Sequence, residues 1–250
     1  MDSKRKVIIL GDSFTFGQGC SDRDYYYDHE LKQFVGEEEP IMKCIPSNNC
    51  WATLLQNEYP NLEVVNLSEP GNSNAAMFRN LTDFIANNNI AEDDIIMLNG
   101  SNPDRIEVAI PGLEKPKSWV LGWDHHSRLL RSEGYNQAKE MYIKYLYNDQ
   151  IGFNYSLMTL LGSYGYAMTY KTKFVWSFPH ANRRPHAKHR APSNLIPYMI
   201  QDITGFDFSG KRDDVFNFSC RSADFHVNDL GHSIFYEKQI KPLIEKFLNT

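Results

Sequence analysis

Long hydrophobic runs are missing from this 250-residue chain. The first apolar stretch, after Met1-Asp2-Ser3-Lys4-Arg5-Lys6, is four residues long, too short for a signal-peptide core. No later run approaches the roughly 20 residues that a bilayer-spanning helix needs. A membrane span is therefore not expected, and a cytoplasmic location is; a phage or host-delivered origin would leave no mark of its own. Cysteine is scarce as well. Cys20, Cys44, Cys50 and Cys220 show neither Cys-x-x-Cys nor zinc-like spacing, so free thiols in a reducing compartment are expected. Positive charge is not in excess: 26 Lys and Arg face 31 Asp and Glu, a net charge of −5, which gives no footprint for nucleic acid. Repeats and low-complexity segments are absent. At 42% hydrophobic and 23% charged residues, the composition is that of an ordinary globular protein, and the length suits one core. A single domain over 1–250 is the expectation.

Four short apolar runs, at 7–10, 62–67, 95–98 and 174–178, read as buried strands. They are rich in β-branched or aromatic residues and barely alternate, as parallel strands do when helices cover both faces. Between them, Trp51, Leu54 and Leu55 keep helical spacing, as do Met77, Leu81, Phe84 and Ile85. Ala138, Met141, Tyr142, Tyr145 and Leu146 do the same. A last helix is expected from a cap at Asn228 or Asp229, burying Leu230, Ile234, Ile240, Leu243, Ile244 and Phe247, with a kink or break at Pro242. Alternating strand and helix predict a three-layer α/β/α sandwich with a mainly parallel sheet. Two stretches, 20–47 and 103–135, are too long for simple connections and read as functional loops or small excursions with their own structure.

The chemistry gathers at equivalent points. Ser13, in Gly11-Asp12-Ser13-Phe14, lies three residues past Leu10; Gly71 lies four past Leu67, and Asn102 four past Leu98. Three parallel strands would bring a hydroxyl, a glycine amide and a side-chain amide to one rim of the sheet, where open α/β folds bind ligands. That set suits attack on a carbonyl, with Ser13 N–H, Gly71 N–H and the Asn102 side chain as oxyanion donors. Near the far end of the chain, Asp224 and His226 supply an acid and an imidazole. His226 is the candidate base and Asp224 the group that fixes its tautomer.

On these residues the chain resembles the SGNH hydrolases, or GDSL esterases and lipases. Gly11-Asp12-Ser13-Phe14 matches the family's nucleophile block, and Asn66-Leu67-Ser68-Glu69-Pro70-Gly71-Asn72-Ser73 its second block. Asn99-Gly100-Ser101-Asn102 is similar to the third, and Asp224-x-His226 to the last. Two departures stand out: the Asp–His spacing is one residue short, and Pro103 follows Asn102, stiffening that turn. The resemblance implies a flavodoxin-like architecture and a serine esterase with Ser13, Asp224 and His226 as triad and Ser13, Gly71 and Asn102 as oxyanion hole. It implies no cofactor and no metal. A carbohydrate O-acetyl ester is the first expected substrate, and a lipid-type ester or thioester the second.

Other features stay open at this level. His180, His186 and His189 sit in a basic loop without a metal-ligand template, which reads as solvated or as an attractor of anionic substrate. Tyr25, Tyr26, Tyr27, Trp119 and Trp123 are candidates for stacking on sugar rings or lining an acyl pocket, against simple packing. His232 reads as structural. Of two rival functions, a phosphate binder using Ser13, Thr15, Gly17 and Gly19 at a helix start leaves Asn102 and Asp224-x-His226 without a reason, so the rival kept is a catalytically idle carbohydrate-binding module on the same fold.

Overall fold

The structure is a computed structural model that describes residues 4–23, 26–28, 33–36, 45–103, 105–108, 117–120, 133–146, 149–177, 193–198 and 226–249. In chain order these form β1 (Arg5–Leu10), α1 (Ser13–Phe16), β2 (Tyr26–Asp28), β3 (Gln33–Val35), α2 (Trp51–Glu58), β4 (Leu62–Asn66), α3 (Asn74–Asn87) and β5 (Ile95–Asn99). There follow β6 (Arg105–Val108), β7 (Lys117–Val120), α4 (Glu133–Tyr145), α5 (Asp149–Tyr170), β8 (Lys173–Ser177), a 3-10 turn (Ser193–Tyr198), α6 (Asp229–Phe235), a π segment (Tyr236–Ile240) and α7 (Lys241–Leu248).

The four apolar runs pair as one parallel sheet in the order β4-β1-β5-β8. Successive side chains in a strand face opposite sides, and the core divides accordingly. Val7, Ile9, Ile95, Met97 and Val175 pack on one face against Trp51 and Leu55 of α2 and Phe235, Ile240, Leu243 and Ile244 of the C-terminal helices. Ile8, Leu10, Ile96, Leu98, Phe174 and Trp176 pack on the other face against Met77, Leu81 and Ile85 of α3 and Leu160 and Ala167 of α5. The three-layer α/β/α expectation is thus borne out. Each of these fully buried aliphatic side chains contributes on the order of 1.5–3 kcal/mol.

The insertions have structure of their own: β2 pairs with β3 and β6 with β7 as antiparallel hairpins. The C-terminal helix departs from expectation in two ways. Leu230 is exposed, because the face of α6 turned to the core carries Gly231, His232 and Phe235, followed by Tyr236. The break is a π segment just before Pro242, in which Lys241 N–H bonds Tyr236 O, five residues back. Proline offers no N–H and crowds the carbonyl four residues earlier, so the helix widens there. Helix α4 forms where the periodicity places it, yet Met141, Tyr145 and Leu146 are exposed.

The two sides of α5 give a test of this layering. Leu81, which packs in the layer α5 covers, is fully buried, whereas Met158 on α5 itself is 65% exposed. Leu81→Ala should cost about 2–5 kcal/mol of unfolding free energy. Met158→Ala should stay within about 0.5 kcal/mol. Urea titration of both variants checks the contrast.

Candidate active site

Strand β1 has β4 on one side and β5 on the other, so the chain's crossovers part at its C-terminal end. Crevices at such a switch point are where open α/β sheets hold ligands. There β1 turns at Gly11 and Asp12 into α1. A Cβ on Gly11 would meet Thr15 Oγ1 at 2.2 Å, so only glycine lets the turn close this tightly. Asp12 caps α1 by accepting Phe14 N–H, and Ser13 is the first helical residue.

Ser13 Oγ lies 2.9 Å from His226 Nε2, across 213 residues of sequence. With the hydroxyl as donor, Nε2 accepts and Nδ1 carries the ring proton. The Phe14 ring packs on the His226 ring with centroids 5.3 Å apart. His226 stands two residues before Asn228, whose side chain caps α6 by accepting Gly231 N–H. The carboxylate of Asp229 accepts Ser21 N–H and Ser21 Oγ–H, tying the start of α6 to the turn beyond α1. Burial alone would raise the Asp229 carboxyl; the Ser21 hydrogen bonds, together with the smaller influences of Cys20 and His232, hold it below the usual range. One short segment therefore carries the serine and anchors the helix that follows the histidine.

Gly71 and Asn102 sit on turns joined to that segment. Gly71 has φ +79°, a left-handed conformation open to glycine, and no atom of the described residues crowds the space over its Cα. Its neighbour Asn72 donates to Gly11 O at 3.2 Å. Asn102 is half-buried, with Ser101 beside it donating to an Asp12 carboxylate oxygen at 2.7 Å. Asp224, together with His180, His186, His189, Trp123, Cys44 and Cys220, lies outside the described residues.

Two residues with no assigned role in the sequence reading are central here. Asp12 is buried, and the same oxygen that Ser101 bonds also receives Arg105 Nη1 at 3.0 Å. Arg105 Nη1 reaches Asn72 O as well, at 3.3 Å. Neither belongs to an apolar period: Asp12 was visible only as a member of the Gly11–Phe14 block, and Arg105 only as a lone cation three residues past Asn102.

Other candidate chemistry at this rim is weaker. Burial raises the Cys20 and Cys50 thiols, which removes them as nucleophiles near neutral pH. Among the described residues no group of three His, Cys, Asp or Glu is placed to hold a metal ion, and no helix is long and apolar enough to cross a membrane. An apolar cavity of about 310 Å³ is lined by Met168, Phe174, Tyr198 and Phe247. It opens beside Lys173 at the start of β8, the opposite end of the sheet from Ser13.

No protein-family model matches the sequence, and no curated protein sequence matches it. Solved structures do. The psychrotrophic esterase EstA from Pseudoalteromonas sp., in a form inhibited by monoethylphosphonate, superposes with a TM-score of 0.51 at 13% identity, covering 98% of this chain and 100% of EstA. A lipolytic protein of the G-D-S-L family from Veillonella parvula covers 94% of this chain and 95% of its own at 15% identity, with a TM-score of 0.43. TesA covers 97% and 99% at 12% identity, with a TM-score of 0.44. The fold is that of EstA, and the architecture implied by the four sequence blocks is the one observed.

His232 yields a prediction of its own. It is buried, accepts Trp51 N–H at Nδ1 (3.3 Å), and burial lowers its pKa to about 4. Between the ordinary imidazole value near 6.5 and about 4, the unfolded chain binds a proton that the native chain refuses. Stability should therefore fall as pH drops through that window, by about 3 kcal/mol from this group when complete. Urea unfolding at pH 7, 5.5 and 4 should show a shallower acid loss in His232→Asn than in the parent.

Proposed function

We propose that the chain is a serine ester hydrolase of the SGNH type, with Ser13 as nucleophile and His226 as base. The observation that carries this reading is the 2.9 Å approach of Ser13 Oγ to His226 Nε2 at the switch point of the sheet. His226 takes the hydroxyl proton as Oγ bonds the ester carbonyl carbon. The carbonyl oxygen becomes an oxyanion, received by Ser13 N–H, Gly71 N–H and the Asn102 side-chain amide. As the first helical residue, Ser13 has an N–H that the helix itself leaves without a partner. His226 then returns the proton to the departing alcohol, leaving an acyl group on Ser13. Water, deprotonated by His226, releases the acid. Asp224 completes a triad in this reading, orienting the His226 Nδ1 proton.

EstA, whose fold this chain shares, is an esterase inhibited by monoethylphosphonate, which supports the ester-hydrolase reading in general. The proposed substrate is a short acyl ester, first an O-acetyl group on a carbohydrate. The surroundings of Ser13 are polar, with Asp12, Asn72, Asn74 and Ser101 all buried nearby. The apolar cavity lined by Met168, Phe174, Tyr198 and Phe247 is at the other end of the sheet and does not adjoin Ser13.

Hydrolysis of p-nitrophenyl esters from two to twelve carbons, beside acetate release from acetylated glycans, tests both levels. Short esters should turn over fastest, and a fluorophosphonate should label Ser13. Ser13→Ala should lower kcat about a thousandfold or more, with His226→Ala nearly as damaging because the two act as a unit. Activity that survives Ser13→Ala overturns the mechanism, and a preference for twelve carbons overturns the substrate class.

The role of Asp224 has a separate test. Asp224→Asn keeps the shape and removes the charge, and losses of up to about 10⁴-fold are expected for a triad. Full activity in Asp224→Asn would leave a Ser13–His226 dyad.

A further inference from the structure

We infer that Arg105 is the positioning residue of the oxyanion hole, its guanidinium clamping the nucleophile turn and the Gly71 turn while its own backbone fixes the Asn102 turn. The inference rests on the ester-hydrolase reading and deepens it. Three separate connections carry it. Arg105 Nη1 donates to Asp12 Oδ2 at 3.0 Å, one residue before Ser13. The same nitrogen donates to Asn72 O at 3.3 Å, one residue after Gly71. Arg105 N–H donates to Asn102 O at 3.1 Å. Each of the three proposed donors is thus adjacent to, or is, a residue that Arg105 holds.

The cost of this arrangement points to geometry as its role. The Asp12 side chain is 3% exposed and that of Arg105 is 13% exposed, so both charges have left water. Attraction within a buried pair roughly offsets the desolvation of its two ions, so such pairs add little net stability. Among the described residues Arg105 Nε is also buried with no hydrogen-bond partner, a further cost that a purely stabilising contact would avoid. What the pair does supply is fixed direction. Asp12 Oδ1 takes Phe14 N–H while Oδ2 takes Ser101 and Arg105, leaving the carboxylate one orientation and the helix start one position. Oxyanion donors act only when preorganised at the place where charge develops. A displacement of about 1 Å can cost on the order of 10²-fold in rate.

Arg105→Met keeps the apolar stem and removes the clamp. It should lower kcat by roughly ten- to a hundredfold with KM within about twofold, because the donors act on the transition state more than on bound ester. The rate of fluorophosphonate labelling of Ser13 should fall in parallel, since the phosphoryl oxygen occupies the same hole. The decisive readout is coupling. Asn102→Ala alone should cost about 10²- to 10³-fold. If Arg105 works through the hole, adding Arg105→Met to Asn102→Ala should cost much less than it does in the parent; a merely structural role would make the two losses multiply. Should Arg105→Met fail to fold by thermal melting, Arg105→Lys, which keeps the charge but loses the planar fork, is read by the same three measurements. Parental kcat and labelling rate, or multiplying losses, or a loss confined to KM, overturn the inference while leaving the hydrolase reading intact. Absence of Ser13 labelling in the parent protein overturns the hydrolase reading, and the inference with it.

Discussion

The rim of the sheet depends on one buried carboxylate. Asp12 sits between the first strand and the helix that begins at Ser13, and its two oxygens are committed to Phe14 N–H, Ser101 Oγ–H and Arg105. An isolated carboxylate in such a place would be prohibitively costly. It is tolerated because a helix start, a hydroxyl and a guanidinium all donate to it. Each donor comes from a different part of the turn system, so satisfying the charge and aligning the turns are the same event. Were Asp12 absent, the β5 turn would lose both its Ser101 and its Arg105 ties to the Ser13 turn, leaving the Asn72–Gly11 bond to join the Gly71 turn to it.

The sheet order makes this convergence natural. With β1 between β4 and β5, the segments that follow all three strands emerge side by side on the same edge. The register of β1 with β5 (Leu10 opposite Leu98) and with β4 (Ile9 opposite Asn66) sets their heights. The apolar layers on both faces hold that register, since a one-residue slip would turn Ile8 and Leu10 toward the wrong helices. Packing of ordinary aliphatic residues therefore determines where a hydroxyl and an amide stand.

Much of this was legible in the amino-acid order, and the parts that were not share a cause. The core strands announce themselves because both of their faces are covered, giving apolar runs such as Val7-Ile8-Ile9-Leu10. Helix α3 is legible through Met77, Leu81 and Ile85, which repeat on one side. Helix α5 is not: over Asp149–Tyr170 apolar and small residues fall on every side, with Tyr155, Met158 and Leu161 exposed, so no face stands out. Leu230 has the right spacing and the wrong environment, because the face that meets the core in that turn is taken by Gly231 and His232, which an apolar count passes over. Ser13 and His226 were legible as a pair through the order of the four blocks. Asp12 and Arg105 were not, since a buried polar network follows three-dimensional neighbours and leaves no period in one dimension.

The separation of Ser13 from His226 along the chain has a consequence for assembly in time. The nucleophile turn lies within the first strand–helix unit, while the imidazole that meets it precedes a helix held by Asp229 to Ser21 and by Phe235, Ile240, Leu243 and Ile244 to the sheet. A ribosome delivers these parts in order, so the early strands can pair long before the last helix exists. Through that interval the hydroxyl has no partner to draw off its proton. In the proposed ester hydrolase, reactivity would thus arrive last, only once the final helix has docked.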